Sequence, residues 1–257
     1  IQRAFWIKMD DQSLKKNYLE KLKLLKNYDK YYYDKEKPLV TDQEYDFLKK
    51  ELFNLEQKHK ILINKDSSSK TVGYKPSKNF KKIKHKVPML SLGNAFDEED
   101  LRNFEKKILN FLSLKDASTI EYSVEPKIDG ISASLTYIEG KLLKGLSRGD
   151  GSEGEDITEN LKTIKDIPTL ITDKTFPEEI DIRGEVFINN KDFEKISEKF
   201  ANPRNAASGS LRQKDYNMTS KIPLKFIAYT HGYIKNIAID NQIDFLKKLK
   251  FWGFKTN

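Results

Sequence analysis

EPKIDGISASL, residues 125–135, sets a lone lysine between a proline and an Ile-Asp-Gly turn, with Glu125 before it and Asp129 after it. Ile131, Ala133, Leu135 and Tyr137 then alternate with Ser132, Ser134 and Thr136, the period-two pattern of a strand with one buried face. Glu139-Gly140 is a hairpin signal, and KLLKGLSRGDG (141–151) returns beside the first strand. Outward from this hairpin, TIEYSVEP (119–126), EEIDIRGEVFIN (178–189) and LKFIAYTHGYI (224–234) read as further strands. NKDFEKISEKF (190–200) reads as a short helix, and 240–251 as another. Hairpin-linked strands with helices between them predict an antiparallel α+β domain.

The part before this domain has a different period. Residues 11–34 carry Leu14, Tyr18, Leu22 and Leu25 at helical spacing. TDQEYDFLKKELFNLEQKH (41–59) opens on a capping box, Thr41 with Glu44, and Tyr45, Leu48, Leu52 and Leu55 follow on one face. Residues 1–62 are therefore expected to be a small helical unit, and residues 63–257 the α+β domain. Within the latter, 63–90 reads as loop-rich, and KPSKNFKKIKHK (75–86) holds six lysines and no acid. Such a run is a solvated loop or a contact for nucleic acid. Residues 97–112 predict a helix capped by Asp97, with Leu101, Phe104, Ile108 and Phe111 on one face.

Composition limits the function classes. Of 257 residues, 37% are hydrophobic and 33% charged, and there is no cysteine. Disulfides and cysteine-held zinc are excluded within this chain, and a cytoplasmic protein is expected. No apolar run approaches the roughly eighteen residues of a membrane span, and no signal peptide is visible. Met9 is a candidate native start. The net charge of +8 suits a polyanionic partner. Lysine supplies 41 of the positive charges and arginine six, and four of those six, Arg148, Arg183, Arg204 and Arg212, fall in one stretch. Arginine is hard to replace where a planar fork grips phosphate or carboxylate, so these four are candidates for that work, with surface ion pairs as the alternative.

A nucleophilic lysine must be uncharged when it attacks, which burial or a neighbouring cation favours. On a strand, Glu125, Lys127 and Asp129 share one face and point into one cleft. The bland alternative is a surface lysine at a strand edge. Around it, LSRGDGSEGEDITENLKTIKDIP (146–168) brings Arg148 together with Gly149, Gly151 and Gly154, whose backbone N–H groups suit an anion site. Arg183, Gly184 and Glu185 stand together in the DIRGEVFI strand, and FANPRNAASGSLRQKD (200–215) carries Arg204 and Arg212. Neither a Walker loop nor a dinucleotide-binding G-x-G-x-x-G is present.

Taken in order, YYYDKEKPLVTDQEYDFL (31–48), VPMLSLGNAF (87–96), EPKIDG, SRGDGSEGEDITENLKTIKDIP, IRGEVFI and FANPRNAASGSLRQ resemble the N-terminal part of the bacterial NAD+-dependent DNA ligases. The resemblance implies a helical domain for the nicotinamide mononucleotide half of NAD+, followed by a nucleotidyltransferase (adenylation) domain. It implies that Lys127 attacks the α-phosphorus of NAD+, forms lysyl-AMP and releases nicotinamide mononucleotide, with Asp129 and Arg212 in the catalytic set. Glu125 would read the adenine amino group, Ser91 and Leu92 would line the adenosine pocket, and Arg148 would belong to the nucleotide pocket. Glu185 would stand beside the ribose and a Mg2+ (or Mn2+) site. Tyr32, Tyr33, Asp42, Tyr45 and Asp46 would hold the mononucleotide. Aromatic faces suit its cationic ring and carboxylates its charge or ribose. For Tyr45, core packing is the alternative, because helical spacing sets it on the apolar face. Arg204 and Arg212 would contact phosphates of nicked double-stranded DNA, the partner of the whole enzyme in replication and repair.

The later family motifs are absent from this sequence: a second lysine of D-G-x-V-x-K type, the zinc site, and the oligonucleotide-binding barrel. The expectation is a C-terminally truncated nucleotidyltransferase domain, monomeric, that does not seal nicks alone. Competing readings are another lysine-adenylating nucleotidyltransferase, such as an ATP-dependent ligase, or a non-catalytic nucleic-acid-binding module. The helical unit argues against the first and the combined motifs against the second.

Overall fold

The computed structural model describes residues 11–33, 39–62, 67, 80–117 and 120–257. Its first element, α1 (Asp11–Tyr33), packs against α2 (Asp42–Lys58). Leu14, Tyr18, Leu22, Leu25, Leu52 and Leu62 form a core of their own, with Tyr45, Leu48 and Leu55 at its margin. The capping box is formed: Thr41 Oγ1 accepts from Glu44 N at 3.3 Å, and Glu44 Oε2 accepts from Thr41 N at 2.9 Å. The fully buried Glu56 accepts from the phenol of Tyr18 at 2.7 Å, so the polar groups sealed in this small core are paired.

The second part is built on four antiparallel strands, β2 (Ile131–Ile138), β3 (Lys141–Ser147), β5 (Glu179–Phe187) and β6 (Lys225–Ile234), in the order β3-β2-β5-β6. The hairpin between β2 and β3 turns at Glu139 and Gly140, both at positive φ (47° and 75°), the mirror-image turn whose twist matches that of the strands. A two-stranded piece pairs β1 (Lys82–Lys84) with β4 (Glu153–Glu155). Helices α3 (Glu98–Leu112), α4 (Thr158–Lys162), α5 (Asn190–Glu194), α6 (Pro203–Leu211), α7 (Tyr216–Ser220) and α8 (Gln242–Phe251) complete the described elements. The fold is α+β, helices first and an antiparallel sheet after them.

Alternation along β2 divides the sheet into two faces. Ala133, Leu135 and Tyr137 are fully buried and lie opposite Gly184, Ile182 and Ile180 of β5. Phe226 and Ala228 of β6, Ala206, Ala207 and Leu211 of α6, and Phe245, Leu249 and Trp252 at and beyond α8 close this core. Gly184 is required there, because a Cβ would stand 2.2 Å from the ring of Phe226. The other face carries Ser132, Ser134 and Thr136 opposite Glu185, Arg183 and Asp181. A polar strand face over an apolar one supplies a rigid floor for a site.

One expectation is corrected. Residues 120–129 form no strand, so Lys127 stands on an irregular segment and not on a ladder. A strand needs a partner for its backbone groups, and among the described residues none runs beside this segment. Helix α3 and its Asp97 cap are as expected, and Leu101, Phe104 and Phe111 of its apolar face are exposed. Within the loop-rich stretch, Lys82–Lys84 pairs with Glu153–Glu155. Helix α6 was not expected from sequence, although Asn202 caps it by accepting from Asn205 N at 2.8 Å and Pro203 opens it. No described helix is long and apolar enough to cross a membrane.

Candidate active site

Glu185 is the centre of the polar sheet face. Ser132 Oγ donates to its Oε2 at 2.9 Å from the neighbouring strand. Burial raises the Glu185 pKa above the usual carboxylate range, and Ser132 together with the positive charges of Arg204, Lys127 and Arg148 opposes that rise. These three cations come from three places: the irregular segment before β2, the turn after β3, and α6. Tyr229 of β6 stands by as well, its phenol held protonated by burial and by the charge of Glu185. A half-buried carboxylate ringed by cations suits a phosphate-bearing ligand, whose charge the cations meet while the carboxylate takes a metal or a hydroxyl.

The predicted residues sort into those brought to this centre and those held elsewhere. Lys127 is exposed and acts on Glu185. Asp129 pairs with Arg204, whose Nη1 donates to Oδ1 at 2.8 Å, so Arg204 is fixed by a neighbour of the lysine. Glu125 accepts from Gln242 and not from any group on the strand floor. The expected common strand face of Glu125, Lys127 and Asp129 is therefore replaced by separate anchorages for the two carboxylates, with Lys127 exposed between them. Arg148 Nη1 is 3.5 Å from Ser91 Oγ. Ser91 and Leu92 are both exposed, on a stretch stitched to the turn after β3: His85 N donates to Ser152 O at 2.9 Å and Met89 N to Gly151 O at 2.8 Å.

Two assignments change. Arg183 does not present a fork to solvent. It is buried, donating through Nη1 to Pro88 O at 3.1 Å and through Nη2 to Val87 O, and so ties the Ser91 stretch to β5. Gly232 makes room for it, since a Cβ there would stand 2.7 Å from the guanidinium. The glycine turn is not an open anion cradle either. Asp150 Oδ1 accepts from Ser152 N and Glu153 N, each at 2.9 Å, and Gly151 N donates to Arg148 O at 3.1 Å. Gly149 is needed for its positive φ of 59°. Arg212 is held by the buried Glu155, its Nε donating to Oε2 at 3.1 Å.

In the helical unit, Tyr45 is half-buried at the margin of the core, and its hydroxyl donates to Asp29 Oδ1 at 2.7 Å. Burial raises the pKa of Asp29, against the bond from Tyr45. Asp46 is half-buried beside it on α2. The side chains of Tyr32, Tyr33 and Asp42 lie outside the described residues. Among the described residues no three acidic or histidine side chains gather as a metal site. Glu185 alone fits the way Mg2+ is commonly held, by one carboxylate and the substrate's own phosphates.

Two family profiles match this chain, in the same order as the two units. One, described as DNA ligase-like, N-terminal NAD+-binding domain, matches residues 11–73, and the other, NAD-dependent DNA ligase adenylation domain, matches residues 77–257. This chain belongs to the NAD-dependent DNA ligase adenylation domain family. A relative named DNA ligase from Pelagibacter ubique is 70% identical over 97% of the chain, which covers 37% of that relative. DNA ligases from Parvibaculum lavamentivorans and Rickettsia bellii are each 45% identical, over 91% and 97% of the chain. The chain thus spans about a third of the length of the curated relatives it matches.

Within this adenylation domain, sequence reasoning overlooked Ser132, Tyr229 and Gln242. Ser132 was visible as the first polar residue of the alternating strand, opposite Glu185 once the pairing is known. Tyr229 and Gln242 gave no local signal, because their place follows from how β6 and α8 dock.

Proposed function

We propose that this chain performs the adenylation step of an NAD+-dependent DNA ligase. Lys127 Nζ attacks the α-phosphorus of NAD+. The new P–N bond forms as the bond to the bridging oxygen breaks, nicotinamide mononucleotide leaves with that oxygen, and the amine proton passes to solvent. AMP stays on Lys127. The observation that carries this reading is the convergence of Lys127, Arg148 and Arg204 on Glu185 over a rigid polar strand face. Arg148 and Arg204 meet the phosphate charge that grows on the non-bridging oxygens. Glu185 takes the ribose side, Glu125 accepts from the adenine amino group, and Ser91 and Leu92 border the adenosine. A Mg2+ ion (or Mn2+) held by Glu185 and the phosphates would supply further charge neutralisation. Asp129 orients Arg204 through their ion pair. On the helical unit, Tyr32, Tyr33, Asp42, Tyr45 and Asp46 hold the leaving mononucleotide.

In the whole ligase AMP then passes to the 5′ phosphate of a nick in double-stranded DNA, with Arg204 and Arg212 at the nick phosphates. We place this activity in replication and repair, in the cytoplasm, in a monomer. The test is a burst assay on this chain: one equivalent of nicotinamide mononucleotide released on mixing with NAD+ and Mg2+, and no pyrophosphate on mixing with ATP. No burst with NAD+, or a burst with ATP alone, would overturn the reading.

A further inference from the structure

Glu125 sits on a segment with no strand partner among the described residues, and its carboxylate is held by side chains. Gln242, the first residue of α8, does this. Its Nε2 is 2.9 Å from Glu125 Oε1 and 2.7 Å from Tyr229 O. Carboxylate and carbonyl oxygens both accept, so the atom between them is the amide nitrogen, and both of its N–H bonds are used. The orientation of the amide is thereby fixed. Tyr229 is skipped at one of two irregularities in the β5–β6 register: Ala228 lies opposite Gly184, and Thr230 opposite Arg183. Its carbonyl is turned out of the ladder by this irregularity and finds a donor in Gln242.

Ser123 Oγ also donates to Oε1 of Glu125, at 3.3 Å. Both donors therefore meet the same oxygen, and among the described residues none is bonded to Oε2. We infer that Gln242 is a positioning residue for base selection: it pins Oε1 and presents Oε2 as an acceptor to the 6-amino group of adenine. The inference rests on the reading of Glu125 in the proposed function. A hypoxanthine base carries a carbonyl oxygen at the same place, and a fixed carboxylate repels it. A carboxylate free to rotate away discriminates less.

The experiment compares NAD+ with nicotinamide hypoxanthine dinucleotide as AMP or IMP donor to this chain, reading for each the second-order rate constant of single-turnover adduct formation. Gln242→Leu is expected to shrink the preference for NAD+ by about tenfold, the range of one hydrogen bond to a charged group. Gln242→Glu, nearly the same shape with an anion facing Glu125, is expected to shrink it at least as much. Thermal melts accompany both variants, and the near-isosteric change serves if the leucine variant fails to fold. Glu125→Gln should erase the preference, and in that background Gln242→Leu should slow both donors alike. Equal slowing of both donors by the Gln242 changes in the unmodified background, with the preference intact, would overturn the inference. An intact preference in Glu125→Gln would overturn the reading of Glu125, and the inference with it.

Discussion

Replacing Lys127 with alanine is expected to abolish covalent AMP while NAD+ still binds within a fewfold of its original affinity. Of the three cations acting on Glu185, Arg148 and Arg204 are guanidinium groups, and Lys127 is the amine. A guanidinium remains protonated and is a poor nucleophile, so Lys127→Arg is expected to fail equally although it keeps the charge. That pair of variants separates chemistry from electrostatics. If charge beside Glu185 were all that mattered, arginine would restore the adduct. Binding should persist because the variant leaves untouched Glu125 and Ser91, proposed to meet the adenosine, and the α2 residues proposed to hold the mononucleotide. The checks are intact mass after incubation with NAD+ and calorimetry with the same dinucleotide. An adduct of undiminished yield in Lys127→Ala would remove Lys127 from the reaction.

The second large effect concerns the helical unit. Without residues 1–62, AMP transfer from NAD+ is expected to fall by several powers of ten, while binding of AMP alone stays nearly unchanged. A leaving group must be held in line with the attacking amine, so its holder contributes positioning as well as affinity. Each charge-assisted contact is worth roughly 1.5–3 kcal/mol, and two or three of them account for a loss of that size. AMP carries no mononucleotide and has nothing to lose. Point changes should show the same split. Asp46→Ala is expected to be more severe than Tyr45→Phe, because the Tyr45 ring also packs at the core margin and its hydroxyl is engaged by Asp29. Lys50 complicates a deletion, since it pairs with Asp100 at 2.8 Å and stands over the ring of Phe96 at 4.9 Å, linking α2 to the start of α3. The point changes avoid this link. Equal losses of NAD+ reaction and AMP binding would make the helical unit a structural support.

The sheet was legible where one strand face is buried and the other is wet. Ile131–Tyr137 shows its alternation directly, and the Glu139-Gly140 turn follows from the two positive φ angles that a tight hairpin demands. The capping box of α2 and the Asp97 cap of α3 were legible because they are local. Residues 119–126 were misread for the complementary reason. Tyr122, Val124 and their neighbours have strand composition, yet pairing depends on a partner that composition does not reveal. Arg183 shows the same limit within the site. Its spacing in R-G-E resembles that of a phosphate-gripping residue, and only the docking of Val87–Pro88 over β5, with Gly232 clearing space, assigns it to backbone carbonyls. Gln242 lies more than a hundred residues from Glu125, so no local pattern joins them.

The central claim is that NAD+ leaves its AMP on one lysine of this chain. Incubating the unmodified chain with NAD+ and Mg2+, digesting it and mapping the peptides by mass tests it most directly. The expected result is a single AMP, acid-labile as a phosphoramidate is, on the peptide carrying Lys127, and no adduct with ATP in place of NAD+. AMP on another residue, or its absence from a folded chain that binds NAD+, would contradict the account.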